Sequence, residues 1–88
     1  EALVRTEQAG VFANRFSAGD ETVWTLYNAN GRTVRGTILR VAHNPGDTYE
    51  DAWNGVPLTP TILGVIAEIA VEIGPIYLGC VVRRSANH

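Results

Sequence analysis

ETVWTLYNANGRTVRGTILRVA, residues 21–42, is the stretch on which the fold turns. Apolar and β-branched residues alternate with polar ones on both sides of Asn30-Gly31, a dipeptide suited to a tight hairpin turn. A two-residue turn pairs Ala29 with Arg32. It would place Val23, Tyr27, Val34 and Ile38 inside and leave Trp24 and Leu26 outside. A three-residue loop, with Gly31 in the left-handed conformation, pairs Asn28 with Arg32 instead. Trp24, Leu26, Val34 and Ile38 then share the buried face, while Thr25, Thr33, Arg35 and Thr37 point to water. A slip of one residue inverts every side chain, so polarity chooses between the registers. The second pattern separates the two classes better. It predicts a hairpin turned at Asn30 and Gly31, with Trp24 in the core.

Outside this stretch, strand-like runs occur at 11–17 (VFANRFS), 64–73 (GVIAEIAVEI) and 76–83 (IYLGCVVR). Gly19-Asp20, Asn44-Pro45-Gly46, Asn54-Gly55 and Gly74-Pro75 punctuate them, and residues 1–8 supply an edge strand. Segment 62–73 reads two ways. Ile62, Ile66, Ile69 and Ile73 fit a helical stripe, but Val65, Ala67, Ile69, Val71 and Ile73 also alternate with Ile66, Glu68, Ala70 and Glu72, as in a strand half facing water. Gly64 and Gly74-Pro75 bound it closely and its β-branched content is high, which favours a strand. Short runs at this spacing predict an all-β fold, a small antiparallel β-sandwich of about six to seven strands. Residues 1–88 read as one domain without repeat or linker.

The 88 residues carry a net charge of −2, and all seven cations are Arg. No basic patch marks a nucleic-acid partner. No apolar run reaches the ~18 residues of a membrane span. Cys80 is the single cysteine, so no internal disulfide forms. The chain contains no Met and starts at Glu1, which suggests a domain or processed piece of a larger protein. Its apolar residues point the same way. Leu39 and Val41 lie opposite Ile38, and Ile76-Tyr77-Leu78 is apolar on both sides. A free-standing antiparallel sandwich alternates more strictly. The excess predicts a patch covered by another domain or subunit.

GDTYEDAWNG, residues 46–55, is the stretch richest in candidate chemistry, with Asp47, Glu50, Asp51, Tyr49 and Trp53. The three carboxylates could offer oxygens to Ca²⁺, but they lack the alternating ladder of a calcium loop. No cofactor is expected. Carbohydrate could stack on a platform of Trp53 with Tyr49 or Tyr27. The plainer reading turns Trp53 inward as a plug while Asp47 and Asp51 accept turn hydrogen bonds. Catalysis finds little support. Glu68 and Glu72 would sit about 13 Å apart along a strand at ~3.3 Å per residue, beyond the separations that glycoside hydrolysis uses. Cys80 reads as a small buried hydrophobe. Neither His43 nor His88 can be set beside it, and Ser17 and Ser85 have no nucleophile-elbow context.

Taken together, "NRFSAGDETVWTLYNANGRTVRGTILRV" and the following "GDTYEDAWNG" resemble the all-β domain that follows the TIM barrel in many glycoside hydrolases. The resemblance runs over residues 11–83, to the terminal "IYLGCVV". It implies a non-catalytic sandwich that braces a catalytic barrel of the same parent chain, in a secreted or periplasmic protein. It also implies structural roles for Asn28 at a strand end, Gly36 at a close backbone approach, and Asp51 and Trp53 as loop anchors. A carbohydrate-binding module using Trp53 and Tyr49 is the first alternative reading. A protein-interaction module that self-associates through its apolar strands is the second.

Overall fold

The alternation at 21–28 acts as its polarity dictates. Thr22, Trp24, Leu26 and Asn28 are buried, and the residues between them are less so. The computed structural model describes residues 2–4, 6–75 and 77–85, and these form an all-β sandwich of two antiparallel sheets. In chain order the strands are β1 (Ala2–Val4), β2 (Val11–Ala18), β3 (Glu21–Asn28), β4 (Thr37–Ala42), β5 (Thr48–Asp51), β6 (Val56–Leu58), β7 (Thr61–Leu63), β8 (Ile66–Ala70) and β9 (Tyr77–Arg84). The six-stranded sheet runs β1-β2-β3-β9-β5-β6, and the three-stranded sheet runs β4-β8-β7. The expected edge strand within residues 1–8 is β1. The ambiguous 62–73 segment is extended, with β7 and β8 joined by a turn at Gly64-Val65.

The hairpin expected at Asn30 and Gly31 does not form. β3 pairs with β2 and β9, and β4 pairs with β8 in the other sheet. Between Asn28 and Thr37 the chain crosses from one sheet to the other. Gly31 is not left-handed; at that corner the positive φ, 77°, belongs to Gly10. Asn30 is engaged elsewhere, because its Nδ2 donates to the Ala9 carbonyl (2.9 Å) and to Asn28 Oδ1 (2.9 Å). A Cβ on Gly10 would come within 2.6 Å of Asn30 Oδ1, so Gly is required there for space as well as conformation.

Asn28 is the latch of this crossing. Its side chain is wholly buried, and its Nδ2 lies 2.9 Å from the Arg32 carbonyl, 3.0 Å from that of Ile73 and 2.9 Å from that of Gly74. Its Oδ1 accepts from the Asn30 amide at 2.9 Å. One amide thus joins the end of β3 to the segment that follows β8 in the opposite sheet. Val34 and Ile73 exchange backbone hydrogen bonds of 2.9 and 3.0 Å beside it. Buried polar groups need such partners. Gly36 has φ 96°, and a Cβ there would meet only Gln8 Nε2, at 3.7 Å. Its requirement is therefore conformational, not the close backbone approach expected of it.

The core lies between the sheets, with Val11, Ala13, Trp24, Leu26 and Val81 on one side and Val34, Ile38, Leu39, Ala67, Ile69 and Ile73 on the other. Each large apolar side chain buried there contributes about 1.5–3 kcal/mol relative to exposure. Trp24, Leu26, Val34 and Ile38 are all inside, as the polarity argument required, although they face one another across the two sheets. Leu39 was expected outside. A register shift between Thr37 and Leu39 turns both Ile38 and Leu39 inward, and Val41 packs against the same core.

The sheet edges are short or interrupted. β1, β6 and β7 have three residues each, and β6 contains Pro57. β4 carries the register shift, and the Glu7 amide donates to its Ile38 carbonyl at 2.7 Å.

Candidate functional site

The GDTYEDAWNG stretch becomes the approach to β5, β5 itself and a turn over 52–55 that leads into β6. Asp51 organises the turn. Its Oδ1 accepts the amides of Trp53 and Asn54, both at 3.1 Å, and its Oδ2 accepts Asn54 Nδ2 at 2.9 Å. Asp47 Oδ2 accepts the Asn44 amide at 3.1 Å. Both aspartates therefore hold backbone amides, as turn chemistry predicts. Glu50 alternates to the opposite face of β5, where Arg84 Nη1 donates to it at 2.7 Å. The strand period thus separates the carboxylates. No group of three or more His, Cys, Asp or Glu that could hold a metal ion occurs among the described residues.

The two aromatics of this stretch lie on opposite sides of the surface. Tyr49 is core, 4% exposed, and its hydroxyl is 2.9 Å from His43 Nδ1. The two rings stack at 5.7 Å. Arg83 lies beside them and ties the same end of the sandwich together. Its Nη1 donates to the Ala42 carbonyl (2.6 Å), its Nη2 donates to Thr22 Oγ1 (3.0 Å), and its guanidinium covers the Trp24 ring at 5.3 Å. Trp53 was expected to plug one end of the fold but is 47% exposed. The Asx turn at Asp51 swings its backbone out of the sheet. A platform built from Trp53 and Tyr49 is therefore excluded, since Tyr49 offers no face to a ligand.

Burial raises the Tyr49 phenol above its ordinary value of 10.0, with Asp47 adding to the rise and Arg83 opposing it. The unfolded chain then releases this proton more readily than the folded one. Tyr49 accordingly favours the fold fully below pH 10, and that contribution is lost as pH rises beyond it. Denaturant midpoints measured across this range should fall steeply in the wild type. In Tyr49→Phe the fall should be shallower, with about 1 kcal/mol lost at neutral pH from the His43 hydrogen bond.

The candidates for catalysis stay apart. Arg40 pairs with Glu68 and Arg35 with Glu72, both at 3.2 Å, on exposed or half-exposed surface. Cys80 is half-buried rather than enclosed, and burial together with Asp51 and Glu50 raises its thiol pKa. A raised thiol is a poor nucleophile. His43 is engaged with Tyr49, and His88 lies outside the described residues. Ser17 Oγ sits 3.4 Å from Thr22 Oγ1, and the Ser85 amide donates to the Asp20 carbonyl.

Two surfaces remain. The first is the outer face of the six-stranded sheet. Residues opposite one another on paired strands share a face, so Phe12, Tyr27 and Leu78 form one row and Phe16, Val23 and Val82 another. Phe12 and Leu78 are about half exposed, and Phe16 and Tyr27 nearly as much. Tyr77 and Leu78 meet the expectation of surface apolarity at the start of β9; Ile76 lies outside the described residues. The second surface is a cleft of about 440 Å³ where the sheets part, lined by Trp53, Asn54, Thr33, Glu72, Tyr77 and Leu78 among others. Trp53 and Tyr77 stand edge to face at its mouth, with centroids 5.6 Å apart and planes at 87°. Sequence reasoning missed Tyr77 as a partner of Trp53, because β5 and β9 are far apart in the chain and their pairing has no local signal.

No protein-family model matches the chain, and no curated protein or solved structure is significantly similar to it.

Proposed function

We propose that this chain is a non-catalytic accessory domain of a carbohydrate-active enzyme, and that the outer face of its six-stranded sheet packs against the catalytic barrel. The observation that carries the reading is the group of exposed aromatic and aliphatic side chains there: Phe12, Phe16, Tyr27 and Leu78. A sheet facing water on this side would carry polar residues at these positions. Aromatic residues at the centre with charges displaced to the rim are typical of docking surfaces. Here Arg84, bonded to Glu21 (2.8 Å) and Glu50 (2.7 Å), supplies such a rim at one end. The sequence resemblance of residues 11–83 to domains appended to glycoside hydrolase barrels supports the choice of partner. The half-buried, raised thiol and the dispersed carboxylates agree with a domain that leaves chemistry to its neighbour.

The test begins with the coding sequence around the Glu1 codon, read for an adjoining (β/α)₈ barrel. The barrel, expressed separately, should bind the sandwich. Phe12→Asp or Leu78→Asp should weaken that binding more than about 30-fold, as loss of a hot spot worth at least ~2 kcal/mol requires. Circular dichroism should be unchanged, since both side chains are exposed. A reading frame without any barrel, or barrel binding indifferent to both variants, would end this reading. Concentration-dependent dimers dispersed by the same variants would identify a second copy of the chain as the occupant.

A further inference from the structure

We infer that the cleft under Trp53 and Tyr77 binds a neutral sugar residue. The inference rests on Trp53, Tyr77 and the polar groups beside them; Leu78 borders both surfaces, but Phe12, Phe16 and Tyr27 of the outer sheet face do not line the cleft. Its volume of about 440 Å³ suits one ring or two. The lining combines the two elements a pyranose needs, an aromatic face for its C–H surface and hydrogen-bonding groups for its hydroxyls.

The aromatic element is already ordered. Trp53 and Tyr77 are 47% and 52% exposed, yet their edge-to-face packing fixes each ring against the other. Rings held in this way lose little conformational freedom when a ligand arrives. The buried Asp51 carboxylate adds a second restraint, since it holds the backbone amides of Trp53 and Asn54 and the Asn54 side chain. Across the cleft stand Thr33 and Glu72, and Glu72 is steadied by Arg35 through Oε2 at 3.2 Å. Polar groups therefore flank the rings from the turn after β5 and from the segments beside the Val34–Ile73 bridge.

Charge selects the ligand class. Asp51 and Glu72 line the cleft and no Arg lines it among the described residues, so an anion would be repelled. A cation would find both carboxylates engaged, Asp51 by three donors and Glu72 by Arg35. A neutral polyol needs no free charge. It can share hydrogen bonds with groups that are already positioned.

The chain has two tryptophans, and Trp24 is only 3% exposed, so emission changes on adding sugar report Trp53. Titration with maltotetraose, cellotetraose and mannotetraose up to ~10 mM should give, with at least one of them, a saturable shift to shorter wavelength and a Kd between ~0.1 and ~5 mM. By calorimetry, Trp53→Ala and Tyr77→Ala should each weaken that binding at least ~10-fold. Phe16→Ala, on the outer sheet face, should leave it unchanged. The near-ultraviolet dichroism of Trp24 checks the fold of each variant, and Glu72→Ala serves as a further cleft variant should Tyr77→Ala prove unstable. The inference is overturned if none of the three sugars shifts the emission, or if binding survives Trp53→Ala. It is equally overturned if tetramethylammonium chloride saturates the cleft where the sugars do not.

Discussion

Replacing Asn28 by Ala should lower the free energy of unfolding by about 3 kcal/mol, which for a domain of this size corresponds to a fall in Tm of about 12–24 °C. The Ile73 carbonyl keeps its hydrogen bond from the Val34 amide, so it is not orphaned. The Gly74 and Arg32 carbonyls and the Asn30 amide each lose a partner that water cannot fully replace. Each group left unsatisfied costs about 1–3 kcal/mol, depending on how much solvent enters. Asn28→Asp should be at least as damaging, because it turns an acceptor toward three carbonyl oxygens. Guanidinium denaturation of both variants provides the measurement. A loss below about 1 kcal/mol in Asn28→Ala would mean that the crossing between the sheets is held by the Val34–Ile73 bridge alone.

The second large effect is expected at Trp24. Truncation to Ala removes the largest side chain of the core and should cost about 3–5 kcal/mol. It also removes the ring beneath Arg83, a contact worth about 0.5–2 kcal/mol. Against a total stability of about 5–15 kcal/mol, such a loss brings the chain close to unfolding at growth temperature. Trp24→Phe keeps an aromatic body in the same place and should lose less than half as much. The two variants also separate the fluorescence of the two tryptophans, since only exposed Trp53 remains to emit. An emission maximum that stayed at short wavelength in Trp24→Phe would contradict the positions described for both rings.

Much of this fold is legible in the sequence, and the unreadable parts have physical causes. Trp24 and Leu26 are placed correctly because Thr25 between them makes the polarity of the strand unambiguous. The partners of that strand are not, because Asn30-Gly31 carries a strong local hairpin signal that tertiary contacts override. Asn30 spends its side chain on Ala9 and Asn28, and residues 33–42 find their partner in 64–73 instead. The two or three additional strands beyond the expected six or seven come from segments of three and four residues, too short to show any period. Leu39 was misplaced because a bulge breaks strict alternation. In the candidate site, the roles of Asp47 and Asp51 follow from turn chemistry. Those of Tyr49 and Trp53 do not, since the direction of an aromatic ring depends on partners, His43 and Tyr77, that no local pattern announces.

The sheet edges have a consequence for how this chain behaves when crowded. An edge strand with free amides and carbonyls is a template that another chain can extend without limit. Here three of the edges are a mere three residues long, Pro57 has no amide to offer, and a bulge and the Glu7 amide interrupt β4. Extension along an edge is thereby hindered, whereas a sheet face takes one partner and is then filled. An apolar surface can thus stay open for a neighbour without becoming the start of a fibril.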